Sequence, residues 1–112
     1  MKKFIALYHL PAEVMAQEEN MQMTDAQRDE VMKAWGAWNE RCGDLMVDLG
    51  APLGGGESLG SAGKWNQSDK GVSGYSVVQA KDKDAAKALF KDHIHLGWAP
   101  GATVELHEVV QM

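Results

Sequence analysis

Apolar and polar residues follow one another along the chain in blocks that predict four β-strands. A mostly apolar run over residues 3–10 predicts a central strand buried on both faces, and Pro11 ends it because proline cannot continue a hydrogen-bonded ladder. Residues 45–50 and 74–80 predict the second and third strands. Residues 102–110 alternate between apolar and polar side chains, which predicts a last strand whose apolar face, with Val104, Leu106 and Val110, packs against the helices.

Two helices are predicted between these strands. Thr24 and Gln27 have the spacing of a capping box, which indicates a helix start. Lys83 to about Lys91 is predicted as another helix, with Asp82 as its cap. A weaker helical pattern covers residues 12–22. On the first firm helix, apolar residues recur at steps of four and three and mark one face: Val31, Trp35, Trp38 and Cys42.

The resulting order, βαββαβ, predicts an α+β ferredoxin-like fold in a single domain covering residues 1–112. Right-handed crossovers place both helices on one face of a four-stranded antiparallel sheet. The other face is then left bare, and two copies of the chain can cover each other's bare faces. We therefore expect a homodimer.

A long glycine-rich segment over residues 54–70 joins the second and third strands. It predicts a long loop or a loose hairpin arm through Trp65. Glycine raises the conformational entropy of a free chain, so this should be the most mobile internal segment. We expect Trp65 to pack against the body of the dimer.

Composition narrows the choice of partners. The net charge is −5, with no basic run that would neutralise phosphates, so nucleic acid and anionic membrane are poor partners. No stretch approaches the roughly 18 apolar residues of a membrane span. Cys42 is the only cysteine, which rules out an internal disulfide and favours a reducing, cytoplasmic setting.

The chain also resembles the YCII-related family of the dimeric α+β barrel group. The resemblance spans nearly the whole chain and lies in residues 43–53, 74–80, 84–89, 95–96 and 104–109. It implies a ferredoxin-like protomer, a homodimer and a dimeric α+β barrel. Most of the family has no established activity. Some members carry a His–Asp pair in a cleft, and at least one relative is a dehydrochlorinase of chlorinated aromatics.

At one point the sequence departs from this family. The branch with a suspected catalytic histidine keeps that residue in the first helix. The corresponding residues 32–39 contain no histidine. Catalysis of that type therefore does not carry over to this chain.

His93 and His95 form the most suggestive polar pair. In an extended segment, residues i and i+2 point the same way, so both imidazoles would face one site together with Asp92 or His107. Imidazole suits acid–base work near neutral pH or zinc binding. Alternatively, the segment is a solvated loop in which one histidine caps the preceding helix. His95 is favoured because the His95-Leu96 pair belongs to the family resemblance.

Three further residues are candidates for a catalytic or binding role. Asp48 interrupts an apolar strand: it either lies inside a dimer barrel with a raised pKa and acts as a base, or faces solvent at an edge. Glu105 and His107 share the polar face of the last strand, towards a partner subunit or a pocket. The alternative is that both are rim residues paired with Lys or Arg.

Other candidate sites are weaker. Cys42 ends a helix, where the dipole raises a thiol pKa, so we expect it to be buried and inert. The glycine run lacks the spacing of a phosphate loop or a dinucleotide fingerprint, since Ser58 and Leu59 stand where glycines are required. We expect neither a cofactor nor a tightly bound metal.

Two functions from different classes fit the sequence. One is a homodimeric small-molecule-binding or accessory domain. The other is a small cofactor-independent lyase or isomerase, similar to the dehydrochlorinase, in which His95 or His107 moves a proton while Asp48 or Glu105 orients it. A buried His–carboxylate contact beside a closed cavity would favour the enzyme. The sequence does not decide between them.

Overall fold

A computed structural model describes residues 1–20 and 23–111. None of the helices in these ranges is long and apolar enough to cross a membrane. In chain order the elements are β1 (Lys2–His9), α1 (Ala12–Asn20), α2 (Asp25–Cys42), β2 (Met46–Pro52), β3 (Glu57–Leu59), β4 (Trp65–Gln67), β5 (Val72–Ala80), α3 (Lys83–Leu89) and β6 (Thr103–Glu108). Short 3₁₀ helices occupy Gly43–Leu45 and Ile94–Gly97.

The main sheet has four antiparallel strands in the order β2-β5-β1-β6. The α+β class and the four-stranded antiparallel sheet are as predicted, and the arrangement is compatible with a ferredoxin-like fold. The predicted strand boundaries lie within two residues of the observed ones. The predicted helix over residues 12–22 is α1, which ends at Asn20; Met21 and Gln22 lie outside the described residues.

One face of the sheet carries the hydrophobic core. Phe4, Ala6 and Tyr8 of β1 are buried, whereas the residues between them are only half-buried. The prediction that β1 is buried on both faces is therefore wrong for the protomer, because α2 and α3 cover one side of the sheet only. The core contains side chains from both helices and from the turn after α3: Trp38, Cys42, Ala86 and Phe90.

Helix α2 begins and packs as its sequence predicts. The Thr24 hydroxyl accepts the backbone N–H of Gln27 at 3.1 Å, and the Gln27 side chain accepts the backbone N–H of Thr24 at 2.9 Å. Trp38 is buried and donates its indole N–H to the Leu89 carbonyl at 2.8 Å. Cys42 is buried, as predicted, and burial raises the pKa of its thiol.

The opposite face of the sheet has no covering layer within the described chain. Ile5, Leu7, Tyr75 and Val77 are half-buried at its centre. The last strand adds polar side chains, because β6 directs Val104 and Leu106 towards the core and the residues between them outward. We call this surface the bare face. Val110 was predicted to join the core-facing set, but β6 ends at Glu108 and Val110 is exposed.

The glycine-rich segment forms a projecting hairpin. Strands β3 and β4 pair with each other and not with the main sheet, as expected for a hairpin arm. We call residues 54–70 the arm. Its two large apolar side chains, Leu59 and Trp65, face each other across the hairpin and are 54% and 63% exposed. The radius of gyration is 15.4 Å, against about 13 Å expected for a compact domain of this length.

Candidate functional site

An apolar cleft of about 230 Å³ lies where α2 meets the edge of the sheet formed by β2 and β5. Its walls come from both layers of the domain. The lining includes Tyr8, Val31, Trp35, Leu49, Pro52 and His95. Trp35 belongs to the apolar face predicted for this helix. Its ring contacts the Tyr8 ring edge-on at 5.2 Å between centroids and forms a wall of this cleft.

The edge of the cleft depends on an irregularity in β2. The pairing of β2 with β5 shifts register twice between Met46 and Ala51. At Gly50 the backbone has φ +85°, and a Cβ there would lie 1.7 Å from the Tyr75 carbonyl oxygen. Only glycine allows the two backbones to approach this closely. A local bulge therefore shapes the cleft where Gly50 lines it.

His95 is the ionisable side chain of the cleft lining with the clearest capacity to bind a ligand. It is buried, and its Nε2 lies 2.9 Å from the His9 carbonyl oxygen. A carbonyl only accepts hydrogen bonds, so Nε2 carries a proton. In the neutral tautomer with its proton on Nε2, the other ring nitrogen, Nδ1, is a hydrogen-bond acceptor.

His93 and His95 were predicted to lie in an extended segment, and this prediction is wrong. His93 precedes the 3₁₀ helix Ile94–Gly97, and its Nδ1 accepts the backbone N–H of His95 at 3.0 Å. A 3₁₀ helix turns about 120° per residue, so neighbours two apart point in different directions. Both rings are nevertheless buried, so the alternative of a solvated loop is also wrong.

His93 lies deeper, among aromatic rings. Its ring centroid is 4.4 Å from Trp38, 4.8 Å from Trp35 and 5.1 Å from Tyr8. The pKa of His93 is lowered from 6.5 to about 4. Desolvation by these neighbours is the largest cause, and the nearby His95 is the second. His93 is therefore neutral at pH 7, with its single proton on Nε2 because Nδ1 accepts a hydrogen bond.

A chain of hydrogen bonds leads from His93 to the edge of the cleft. Its Nε2 lies 3.4 Å from the Tyr8 hydroxyl, which donates to the Ser76 hydroxyl at 2.7 Å. Ser76 donates in turn to the Leu49 carbonyl at 2.6 Å. Burial is the main reason that the pKa of Tyr8 is raised. The chain fixes Tyr8, a wall of the cleft, from both sides.

Asp48 lies on the bare face and not in the cleft. Its carboxylate accepts the backbone N–H of Gly50 at 2.9 Å and the Tyr75 hydroxyl at 3.2 Å. The hydrogen bond from the Tyr75 hydroxyl to Asp48 is the main reason that the pKa of Tyr75 is raised. Within the protomer Asp48 is exposed, as the alternative of a solvent-facing edge residue stated.

Glu105 and His107 also lie on the bare face, where they form a pair. His107 Nε2 and Glu105 Oε1 are 2.5 Å apart, and both side chains are more than half exposed. This hydrogen bond lowers the pKa of Glu105. Strand β6 is three strands away from β2, about 14 Å at the usual spacing of 4.8 Å. Asp48 is therefore at the opposite edge from this pair.

The four candidate residues thus occupy three places. His95 lines the cleft, Asp48 lies at one edge of the bare face, and Glu105 and His107 lie at the other. In the described ranges, no group of three or more potential ligands is placed to hold a metal ion.

The buried polar side chains of this region, Tyr8 and Ser76, were not predicted from the sequence. Tyr8 is in phase with Phe4 and Ala6, and Ser76 is in phase with Val78, on the core-facing positions of β1 and β5. A polar residue at the buried phase of a strand needs a hydrogen-bond partner, so the period-two pattern was the available signal.

Comparisons of the chain with protein-family models, with curated proteins and with solved structures find no match.

Proposed function

We propose that this protein is a homodimeric domain that binds a small, largely apolar molecule in the cleft between α2 and β2. The observation that carries the proposal is the pairing of apolar walls with one imidazole whose proton position is fixed. Such sites bury most of a ligand against apolar groups and orient it with a few polar ones.

The shape of the cleft limits the ligand. A volume of about 230 Å³ is below the roughly 300 Å³ at which pockets begin to hold drug-sized molecules. Trp35 and Tyr8 offer aromatic walls, which favour a ring. The neutral tautomer of His95 that donates through Nε2 offers an acceptor at Nδ1. A phenol-like molecule, with a small ring and one hydroxyl donor, fits this chemistry.

The alternative of a cofactor-independent lyase or isomerase has less support. It requires a carboxylate in reach of a histidine beside a closed cavity. No aspartate or glutamate lines the cleft near His95 among the described residues. Glu105 and His107 are in contact, but they are exposed on the bare face. That pair is shielded only if another protomer covers it.

The bare face supports the proposal of a homodimer. Its centre is apolar and half-buried, and a two-layer domain with one uncovered sheet face gains stability by pairing with a second copy. This arrangement is also the dimeric α+β barrel implied by the resemblance to the YCII-related family.

Light scattering coupled to size exclusion should give twice the protomer mass of 12.2 kDa at micromolar concentration. The physical reason is burial of the bare face, so Leu7→Glu, which places a charge at its centre, should return the mass to that of the protomer. A wild-type mass of 12.2 kDa across the concentration range would contradict the dimer.

Cleft binding is tested with 4-ethylphenol and 4-ethylanisole, which differ in the hydroxyl donor. We expect the phenol to bind at least about fivefold more tightly, since one hydrogen bond contributes about 1 kcal/mol. NMR titration should shift the amides of Gly50 and Gly74 and the Trp35 indole. His95→Phe should remove the preference for the phenol, while His107→Gln, on the bare face, should keep it.

Two outcomes would contradict the cleft proposal. One is the absence of shifts at Gly50, Gly74 and Trp35 up to millimolar phenol. The other is an equal preference for the phenol in His95→Phe and in the wild-type protein.

A further inference from the structure

We infer that the arm is a dimerisation element: in the homodimer, each arm packs its Leu59–Trp65 pair onto the other copy of the chain. The inference rests on the proposed homodimer and adds a second contact region to it. Three observations carry it: the exposed apolar pair, the small area of the bare face, and the attachment of the arm at the edge of that face.

The arm lacks a packing surface of its own. Three residue pairs hold β3 and β4 together, and the flanking backbone bonds, Gly60 N–H to Lys64 O at 3.0 Å and Ser68 N–H to Gly56 O at 2.9 Å, also lie within the hairpin. An isolated two-stranded hairpin is marginal in water unless one face is packed. Leu59 and Trp65 form that apolar face, and in the protomer most of it meets solvent.

The bare face alone is small for a stable dimer. Four strands at about 4.8 Å spacing and seven residues of about 3.3 Å cover roughly 19 by 23 Å, or about 440 Å² in plan. A standard interface buries about 800 Å² of accessible surface per partner, and obligate homodimers bury more. The edges of the face are also polar, with Asp48 on one side and Glu105 and His107 on the other. A second apolar contact region would enlarge the buried surface and add the apolar contacts that these edges lack.

The arm begins where it can supply that region. His9, on the bare-face side of β1, donates through Nδ1 to the Lys70 carbonyl at 2.8 Å, and Leu10 N–H donates to the Gly71 carbonyl at 2.8 Å. On the other side, Leu53 N–H donates to the Ser73 carbonyl at 2.9 Å. The base is therefore held at the sheet, beside the bare face.

The arm is long enough to contact a second copy. From Gly54 to Ser61 the chain can extend about 26 Å at 3.3 Å per residue. Two sheets packed face to face lie about 10 Å apart. An arm held at the edge of one sheet can therefore reach past that spacing and contact the other protomer, where the Trp65 ring gains the burial it lacks in the single chain.

The test compares two double variants by sedimentation equilibrium. Leu59→Ala with Trp65→Ala removes the apolar pair, and Ser58→Ala with Asn66→Ala changes the neighbouring cross-strand pair, which points to the other side of the hairpin. We expect the first to raise the dimer Kd at least about 100-fold, because each symmetric dimer loses two buried tryptophans. The second should stay within about threefold of wild type.

The outcomes separate the arm from the dimer itself. A wild-type protein that is monomeric throughout would overturn both proposals. A wild-type dimer that Leu7→Glu dissociates, but whose Kd the Leu59/Trp65 double variant leaves unchanged, would overturn the docking of the arm and leave the homodimer standing. Hydrogen exchange provides a second readout: protection over residues 57–67 should rise with dimer population, and exchange independent of concentration would count against docking.

Discussion

Lowering the pH from 7 to 4 should reduce the free energy of unfolding by about 3 kcal/mol through His93 alone. The pKa of this group is 6.5 in an unfolded chain and about 4 in the fold, and each unit of difference corresponds to about 1.4 kcal/mol. Between these values the unfolded state binds more protons, so stability rises with pH. The contribution of His93 is complete above pH 6.5 and is lost as the pH falls to about 4.

The structure gives a local reason for this sensitivity. Protonating Nδ1 would replace the acceptor of the His95 backbone N–H with a second donor. It would also place a positive charge among the buried rings of Trp35, Trp38 and Tyr8, where desolvation outweighs favourable contacts with the rings. The 3₁₀ helix that holds His95 in the cleft should loosen first.

Urea unfolding at half-unit pH steps measures this effect. His93→Phe preserves a ring in the aromatic surroundings but cannot titrate, so its stability should lose most of the dependence on pH between 6.5 and 4. At pH 7 the variant should be less stable than wild type, since the His95 N–H is left without an acceptor. Identical pH profiles for wild type and His93→Phe would contradict the assignment.

Replacing Gly50 with alanine should cost about 4 kcal/mol or more, or prevent folding. The alanine Cβ would lie 1.7 Å from the Tyr75 carbonyl oxygen, and that oxygen belongs to backbone in the neighbouring strand, which cannot rotate away. The positive φ of +85° adds about 1–2 kcal/mol for any residue with a Cβ. Relief of the contact requires β2 and β5 to separate, which also reshapes the cleft.

A matched control isolates the contact from the backbone angle. Gly63 has nearly the same φ, +82°, and a Cβ there would meet nothing within 4 Å. Gly63→Ala should therefore cost no more than about 1–2 kcal/mol. Chemical denaturation of both variants gives the comparison, with circular dichroism to verify folding. Equal losses of stability in the two variants would mean that the β5 backbone moves away at Tyr75. The close approach of the two backbones would then not be essential.

Local patterns determined much of the fold. The capping box at Thr24 and the side-chain cap of Asp82 depend on residues within one helical turn, so sequence was sufficient to predict both. Alternation along β6 likewise predicted that Val104 and Leu106 pack inward, because strand side chains alternate strictly between faces. Cys42 was correctly predicted to be buried, and it is this burial that raises the pKa of its thiol.

The candidate site was harder to predict because it depends on contacts between distant segments. Asp48 comes one residue before Leu49, whose carbonyl accepts the Ser76 hydroxyl, yet Asp48 lies on the bare face. The register shift between Met46 and Asp48 decides this placement. A second shift, between Asp48 and Ala51, includes Gly50, which lies against the backbone of β5. Pairing of strands 27 residues apart leaves no trace in the local pattern.

By itself, the sequence determined the order of the main elements, the inward faces of α2 and β6, and the net charge of −5. Tertiary structure alone decided the roles of the histidines. His93 is neutral because aromatic rings from separate segments remove its water, and His95 enters the cleft because a 3₁₀ turn rotates it away from His93. Desolvation and close packing come from residues far apart in the chain, whereas caps and periodicity come from neighbours.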